Sequence, residues 1–497
     1  MSFGCTETKE ARGTPLFRSA TEAAEAVRRK EISSRELTGM LLARIEAANP
    51  AVNAVVELRQ EAALREAASA DEAIARGEDA GPLHGVPTTI KEAFNVAGMR
   101  TTWGNPAFKD FVADSDATVV RRLKEAGAVV VGKTNVAFML ADFGQTANPL
   151  HGATSNPWDL GRTPGGSSGG AAAALSAGMT FLEYASDLVG SVRIPAGFCG
   201  VYGLKPSAGS VPLGGFQPPG PPPPPSDMTF MSAVGPLGRS PQDLRTALRA
   251  TAGPEGQAAK ALSWALAPPR HARLGDFRVG FVLDDEHCPV SGEAAAPLSD
   301  AADALAGAGA TVVEGWPDGV DPARSHESFG FHVRAFFAFQ EPGGDAIEFS
   351  EFVEHEDRRM ASRAAWGRYF GDVADVFLCP VNFAPAFPHD ERPFEGRTIP
   401  TPEGERPYDD QSYWVSHASL PGLPAVAAPV GSTPAGLPVG VQILGPLHED
   451  DTAIAFAELL AEVIGGYEPP PLRAAGPKRS TYTPPTEERS QPRWQKA

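Results

Sequence analysis

Two serines lie inside the glycine-rich stretch TPGGSSGG, at residues 163–170. Its segment GGSSG fits Gly-x-Ser-x-Gly, the nucleophile elbow of α/β-hydrolases, in which the serine sits on a sharp turn between a buried strand and a helix. The preceding residues, NPWDLGRTP, are polar and interrupted by proline, so the sequence predicts no strand there. The elbow interpretation therefore fails, and neither Ser167 nor Ser168 is predicted to be a nucleophile.

A second glycine motif, GAVVVGKT at residues 127–134, satisfies the Walker A pattern of nucleotide-binding ATPases. A phosphate-binding loop follows a strand, opens a helix and turns its backbone amides toward the anion. Here the residues between the glycines are Ala-Val-Val-Val, and they follow a predicted helix, ATVVRRLKEAG. Because β-branched residues favour strands, this segment is predicted to be a buried strand that binds no nucleotide.

Composition argues against several other classes of protein. The net charge of −18, without a cluster of Lys and Arg, predicts no binding to nucleic acid or to an anionic membrane. The ten histidines, such as His84 and His417, lack a metal-binding spacing, so no metal is predicted. The four cysteines are far apart and no apolar run is long enough to span a membrane, so we expect a cytoplasmic protein with reduced thiols.

Three other segments carry serine and lysine residues that together suggest a hydrolase. Lys91 lies in GPLHGVPTTIKEAFNVAGMRTTWGN, Ser167 in NPLHGATSNPWDLGRTPGGSSGG and Ser191 in SDLVGSVRIPAGFCGVYGLKPS. The three positions are 76 and then 24 residues apart along the chain. In order and spacing these segments resemble the amidase signature family, and the likeness covers about residues 20–468.

The resemblance implies a Ser, cis-Ser, Lys triad. Ser191 would be the nucleophile, Ser167 a bridging serine preceded by a cis peptide bond, and Lys91 the base. A lysine can accept a proton only when it is neutral, and at pH 7 a free lysine is neutral in about one molecule in 2,500. Burial in an apolar wall can lower a lysine pKa by the roughly three units that this chemistry needs.

The resemblance also implies an oxyanion hole made by the backbone amides of Leu188, Val189, Gly190 and Ser191. The usual family segment is Asp-x-Gly-Gly-Ser, whereas this chain has Asp-Leu-Val-Gly-Ser at residues 187–191. A valine resists positive φ and takes up space. We therefore expect a hole of altered geometry and an altered substrate pocket.

A segment that often lines the acyl side of the site in the family matches NVAFMLADFGQTANPL here. Its residues Met139, Leu140 and Phe143 are candidate contacts for an apolar substrate. An equally good interpretation makes them ordinary core residues. Ser168 either supports the triad by hydrogen bonding or caps the helix that begins at Gly169 or Gly170.

Patterns elsewhere in the chain predict the elements around these residues. Capping boxes begin helices after Ser19 and after Ser33, and a third helix is predicted over about residues 61–76. A strand in FRVGFVL, a helix in AAAPLSDAADALAGAG and a strand in ATVVEGW form one predicted βαβ unit.

The resemblance implies an α/β fold, in which one twisted mixed β-sheet is covered by helices on both sides. We expect this domain to cover residues 1–468, with N-terminal helices at about 19–76 and the signature core at about 81–245. Residues 469–497 are predicted to form an extended tail. The proline run PPGPPPPP at residues 218–225 is predicted to be extended, either as a surface loop or as a stiff flap beside the site.

The expected function is hydrolysis of a small-molecule amide, carbamate (urethane) or ester through an acyl-enzyme, with no cofactor. The sequence leaves two alternatives open: the glutamine-hydrolysing subunit of a tRNA-dependent amidotransferase, and a non-catalytic binding protein on the same fold. It also leaves open whether the protein is a homodimer.

Overall fold

Helices and strands alternate through most of the chain. The computed structural model describes residues 19–78, 81–219, 231–340 and 346–472. Within these ranges the helices are α1 (Ala20–Arg28), α2 (Ser34–Val52), α3 (Gln60–Ala75), α4 (Thr118–Glu125), α5 (Gly169–Ser176), α6 (Arg193–Cys199), α7 (Pro241–Thr251), α8 (Gly292–Gly307), α9 (Pro322–Gln340), α10 (Phe349–Asp372), α11 (Ser412–Ser419) and α12 (Asp450–Ile464).

The strands have the following bounds: β1 (Val55–Leu58), β2 (Pro87–Lys91), β3 (Val129–Thr134), β4 (Ala147–Asn148), β5 (Gly152–Ala153), β6 (Leu182–Asp187), β7 (Tyr202–Lys205), β8 (Ala233–Gly238), β9 (Arg278–Phe281), β10 (Thr311–Glu314), β11 (Val376–Pro380), β12 (Thr398–Thr401), β13 (Gly404–Pro407), β14 (Ala425–Ser432) and β15 (Pro438–Leu444).

A mixed sheet of eight strands forms the centre of the fold, in the order β10-β9-β11-β15-β14-β7-β8-β6. Pairing is parallel from β10 to β11 and antiparallel from β11 to β6. Helices α7, α8 and α12 pack together against this sheet, and α5 and α6 form a second packed group against it. This architecture confirms the predicted α/β fold with a mixed sheet flanked by helices.

The predicted βαβ unit is confirmed as β9, α8 and β10. Its two strands pair in parallel, with Thr311 opposite Arg278, and α8 packs against β10. Each strand is shorter than the apolar run that predicted it. Apolar composition therefore located the strands but not their ends, which depend on strand pairing: β9 pairs with β10 and β11, and β10 pairs with β9 at the edge of the sheet.

A smaller sheet, ordered β1-β3-β2, holds both the Walker-like motif and Lys91. The segment that mimics Walker A is mostly strand β3, and it follows helix α4, as predicted. All six residues of β3 are buried. No loop that exposes backbone amides lies between the two glycines of this motif, so the structure agrees with the rejection of a phosphate site.

The N-terminal helices begin where the sequence predicts. The Ser19 side chain accepts a hydrogen bond from the Glu22 amide, and Ser33 forms a full capping box with Glu36. Helix α2 continues to Val52, and the left-handed conformation of Asn53 then ends it. Residues 220–225 of the proline run and residues 473–497 of the predicted tail lie outside the described residues.

Gly235 in β8 offers a test of the sheet packing. A Cβ atom at this position would lie 2.0 Å from the carbonyl oxygen of Leu204 on β7. We expect Gly235→Ala to lower the free energy of unfolding by about 1–3 kcal/mol, because the two backbones must separate. Urea denaturation of the purified variant measures this change.

The matched control is Gly367→Ala, in the interior of α10. A Cβ there would have no neighbour within 4 Å. Alanine is the better helix former by roughly 0.5–1 kcal/mol, so this variant should equal or exceed the wild type in stability. Equal losses of stability in both variants would contradict the described packing of β7 on β8.

Candidate active site

Lys91 is the last residue of β2, and its side chain is completely buried. Its Nζ atom lies 2.8 Å from Ser167 Oγ and 2.9 Å from Ser186 Oγ. Burial lowers the pKa of Lys91 to about 7, while the nearby carboxylates Asp187 and Glu183 act in the opposite direction. A substantial fraction of Lys91 is therefore neutral near pH 7, as a base requires.

Ser167 follows a cis peptide bond from Gly166. Its backbone N–H donates a hydrogen bond to Ser191 Oγ at 3.0 Å, and its carbonyl oxygen accepts one from the Ala137 amide. A Cβ at Gly166 would lie only 2.2 Å from the carbonyl oxygen of Gln145, so this position tolerates only glycine. Ser167 thus contacts Lys91 through its hydroxyl and Ser191 through its amide.

Ser191 lies in the turn between β6 and α6 and is 6% exposed. The turn is built around the Asp187 carboxylate. This carboxylate accepts backbone hydrogen bonds from Gly190 at 2.9 Å, from Val192 at 3.2 Å and from Arg193 at 3.4 Å. The carboxylate therefore fixes the backbone on both sides of Ser191.

A fully buried ion pair holds Asp187 in place. Arg193 donates to both carboxylate oxygens, at 2.8 Å and 3.0 Å, and neither side chain is exposed to solvent. Burial alone would raise the pKa of Asp187, but the charge and hydrogen bonds of Arg193 outweigh it, so the pKa lies below its ordinary value. The remaining guanidinium protons bind the Val415 carbonyl, Gln442 Oε1 and Ser419 Oγ.

The four amides predicted for the oxyanion hole differ in what they contact. The Gly190 amide donates to Asp187 Oδ1, as described above. Within the described part of the chain, the amides of Leu188, Val189 and Ser191 have no acceptor. The positive φ of this turn, +84°, falls on Gly190 and not on Val189, so the valine is accommodated without a left-handed backbone.

The segment after β3 lies beside the cis peptide. Met139 and Leu140 are half-buried, and both have positive φ, at 50° and 59°. Phe143 is buried and packs its ring against Phe394 and Tyr408, with centroid distances of 5.7 Å and 5.9 Å. The packing of Phe143 favours the core role that the sequence left open for it, while Met139 and Leu140 retain partial exposure.

Ser168, the other serine of the glycine-rich stretch, is the N-cap residue of α5 but makes no side-chain capping bond. Its hydroxyl lies 3.5 Å from the carbonyl oxygen of Ser186, a long contact. Residues 155–164, ahead of these serines, form no strand of any named sheet, which agrees with the rejection of a nucleophile elbow.

Three residues of this site were not predicted from the sequence: Ser186, Asp187 and Arg193. Each is polar and lies within a few positions of Ser191 in a chain segment that is otherwise apolar. A buried strand end that carries Ser and Asp, followed by Arg six residues after the Asp, was the available signal. Buried charges need partners, so pairing of Asp187 with Arg193 was open to prediction.

Metal and membrane features are not found in the described parts of the chain. No group of three or more His, Cys, Asp or Glu residues there is placed to hold a metal ion. His84 Nε2 donates a hydrogen bond to the Ala70 carbonyl oxygen, and His417 packs against Trp316. None of the described helices is both long and apolar enough to cross a membrane.

The family model described as Amidase matches residues 36–341 and 325–454 of the chain. The chain belongs to the amidase signature family. The chain is 33% identical to an acylamidase of Rhodococcus erythropolis, over 88% of this chain and 94% of the relative. It is also 42% identical to a glutamyl-tRNA(Gln) amidotransferase subunit of Carboxydothermus hydrogenoformans, but this match spans only about half of each chain, 48% and 47% respectively.

A solved structure of a bacterial aryl acylamidase of the amidase signature family has the same fold. Its TM-score with this chain is 0.77, at 25% sequence identity, over 90% of this chain and 96% of that one. The resemblance predicted from the three short segments is therefore confirmed over nearly the whole length of the protein.

Arg193 offers a test of the turn that carries Ser191. We expect Arg193→Met to lower the free energy of unfolding by about 3–5 kcal/mol, because it leaves Asp187 charged, buried and unpaired. Chemical denaturation measures the change, and Arg29→Met, which breaks an exposed ion pair with Glu25 on α1, is the control. The control should change stability by less than about 1 kcal/mol, and an equally small effect at Arg193 would contradict the buried pair.

Proposed function

We propose that this amidase hydrolyses the C–N bond of a small, apolar amide through an acyl-enzyme on Ser191. The observation that carries the proposal is the chain of contacts from Lys91 Nζ to Ser167 Oγ at 2.8 Å and from the Ser167 amide to Ser191 Oγ at 3.0 Å. One residue therefore touches both the base and the nucleophile. The contact between Lys91 Nζ and Ser167 Oγ can pass a proton. The Ser167 amide accepts no proton; it holds Ser191 Oγ beside Ser167, whose hydroxyl group is proposed to receive the Ser191 proton.

In the first step, neutral Lys91 takes the hydroxyl proton of Ser167, and Ser167 takes that of Ser191. Ser191 Oγ bonds to the carbonyl carbon of the substrate. The tetrahedral intermediate then expels its amine, which receives the proton back from Lys91 through Ser167. The products of this step are the free amine and an ester between the acyl group and Ser191.

Backbone amides stabilise the negative oxygen of the intermediate. The amides of Leu188, Val189 and Ser191 are the candidates, since the Gly190 amide already donates to Asp187. Loss of one such donor in other enzymes slows the reaction by about 100- to 1000-fold. In the second step water attacks the acyl-enzyme by the same proton route and releases the carboxylic acid.

The side chains around these amides support an apolar substrate. Leu188 and Val189 pack against a small apolar cluster that is separate from the main core, and we call it the acyl-side cluster. It consists of Met231, Phe329, Val333 and Leu420, with Phe337 packed against it. Phe329, Val333 and Phe337 are spaced four residues apart on α9, so they form one face of that helix toward the oxyanion turn.

Carbamates and esters are included in the proposal because their carbonyl groups can be attacked in the same way. A series of p-nitroanilides, carbamates and esters with acyl groups of graded size tests the substrate class. We expect kcat/KM to rise from acetyl to bulky aliphatic or aryl acyl groups, because each buried CH₂ contributes about 0.8 kcal/mol. A preference for the smallest or for charged acyl groups would contradict the apolar assignment.

The second candidate function is glutamine hydrolysis within an amidotransferase complex, and the likeness to the Carboxydothermus amidotransferase protein favours it. Glutamine is polar, and the apolar side chains at Leu188 and Val189 do not match it. A glutaminase assay together with a test for stably associated partner proteins separates the two candidates. Glutamine turnover that depends on a bound partner would replace the amidase proposal.

Substitution of the triad tests the roles of its members. Ser191→Ala should abolish covalent labelling by a fluorophosphonate and all acyl-enzyme formation, since no other oxygen occupies the position of attack. Lys91→Met should slow labelling of Ser191 by about 100-fold or more, the contribution typical of a positioned base. Mass spectrometry of the labelled peptide measures both effects.

The control for Lys91→Met is Lys133→Met. Lys133 is also buried, on the neighbouring strand, but it bonds Thr101 Oγ1 and contacts neither serine of the triad. In Lys133→Met, the rate at which Ser191 is labelled should stay near that of the wild type. Wild-type labelling in Ser191→Ala would refute the nucleophile, and equal losses in both lysine variants would refute the base.

The pKa of Lys91 also predicts the pH dependence of the reaction. Protonated Lys91 is inactive, and its pKa is lowered to about 7, so the rate of Ser191 labelling should fall as the pH drops through about 7. An unburied lysine would place this fall near pH 10. A labelling rate that stays constant from pH 8 to pH 5 would contradict a lysine base.

Several expectations from the sequence remain predictions. They are the cytoplasmic location, the absence of a cofactor, and the division into a domain over residues 1–468 and a tail over 469–497. Whether the protein forms a homodimer also remains open to measurement.

A further inference from the structure

A second ionisable side chain is buried behind Lys91. Glu183 lies on β6, is 1% exposed and does not contact either serine of the triad. Its Oε1 atom accepts a hydrogen bond from Thr89 Oγ1 at 2.5 Å. Thr89 and Lys91 are two residues apart on β2, so their side chains point to the same face of the strand.

The geometry brings two side chains of β2 against two side chains of β6. Thr89 bonds Glu183, and Lys91 bonds Ser186, which lies three residues further along β6. The Thr89 amide donates to Thr180 Oγ1, just ahead of β6, and so fixes the two strands to each other. Lys91 donates to Ser167 and Ser186 and not to Glu183, but the charges of Lys91 and Glu183 act on each other, so the Glu183 carboxyl group belongs to the electrostatic surroundings of the Lys91 amine.

The other elements around this pair bring few charges to it. Helix α5 packs on both β2 and β6 and consists only of Gly, Ala, Leu and Ser. Arg239, after β8, is buried and donates to the Thr180 carbonyl. Lys133 on β3 and Glu92 after β2 belong to a separate group, where Lys133 bonds Thr101 Oγ1 and Glu92 bonds the Thr102 amide.

Asp187 is the other carboxylate whose charge acts on Lys91. It is paired with Arg193, which keeps its pKa low, so it stays charged at every pH at which the enzyme would work. Glu183 has no such cationic partner among the described residues. A buried carboxyl group with only hydroxyl and amide partners favours its neutral form.

We infer that Glu183 is a positioning residue whose charge sets the pH at which Lys91 becomes neutral and able to activate Ser191. This inference rests on the proposed function, in which neutral Lys91 is the base. Glu183 acts through the Lys91 amine and through Thr89, and it takes no proton from the substrate or from the serines.

The protonation equilibria of Glu183 and Lys91 explain how the charge of Glu183 changes the pH at which Lys91 becomes neutral. Burial raises the pKa of Glu183 to about 8, close to the value of about 7 for Lys91. When one proton leaves the acidic form, it comes either from Lys91, which gives the active base, or from Glu183, which leaves an ammonium–carboxylate pair that is inactive. The carboxylate of this second form also stabilises the protonated lysine, so it raises the pH that activity requires.

The decisive variant is Glu183→Gln, which keeps the size of the side chain and an oxygen that accepts the Thr89 hydrogen bond. It removes the inactive ammonium–carboxylate form. We expect the midpoint of the rate of Ser191 labelling by a fluorophosphonate to fall by about half a pH unit or more. The labelling rate at high pH should stay close to that of the wild type.

Glu92→Gln is the matched control. Glu92 is an equally buried carboxyl group one residue after Lys91, and burial raises its pKa to about 7, but its partners are Thr102 and Lys133. Its substitution should leave the midpoint unchanged. A purely structural role for Glu183 would lower the rate at all pH values and leave the midpoint where it is.

Thr89→Val provides a second variant that does not depend on the folding of Glu183→Gln. Loss of the hydroxyl donor makes the carboxylate harder to form, so the midpoint should move in the same direction by a smaller amount. Wild-type midpoints in both variants, with labelling still confined to Ser191, would overturn the inference and leave the proposed function intact. Labelling that persists in Ser191→Ala would instead overturn the proposed function.

Discussion

The site depends on the burial of one amine, that of Lys91, away from water. A lysine ammonium at the end of β2 would be solvated and charged if it were exposed, and its neutral form would be rare at pH 7. Full burial of Lys91 lowers its pKa to about 7, so the neutral and charged forms become comparable at that pH. As a consequence, the ionised form of Lys91 is poorly solvated in the folded protein. The surrounding elements exclude water from the amine and place hydroxyl groups close to it.

The glycines and alanines around Lys91 follow from this constraint. Helix α5, with the sequence GGAAAALS, packs directly on β2 and β6 because it has almost no side-chain volume. A Cβ at Gly170 would lie 2.4 Å from backbone atoms of Asn135, so this helix begins in direct contact with the chain after β3. The glycine-rich stretch that mimics a nucleophile elbow thus serves close packing and the placement of Ser167.

How much the sequence could predict differs between local and long-range features. Caps at Ser19 and Ser33, the βαβ unit and the strand nature of β3 depend on neighbouring residues, and the structure has them where they were predicted. The contact between Lys91 and Ser186 depends on the packing of β2 beside β6, which no local pattern encodes. The resemblance of three segments to the amidase signature family predicted the triad residues. It gave no indication of Glu183.

The exchange of glycine for valine at position 189 leaves the left-handed residue of the turn before Ser191 in place. Amide donors depend on the backbone, and the turn keeps its left-handed residue at Gly190, where a Cβ would lie 2.9 Å from both Ile194 and Val415. Val189 has no left-handed requirement, so its side chain is free to join Leu188 against the acyl-side cluster. Under the proposed function, the altered motif therefore affects the choice of substrate more than the direction of the amides.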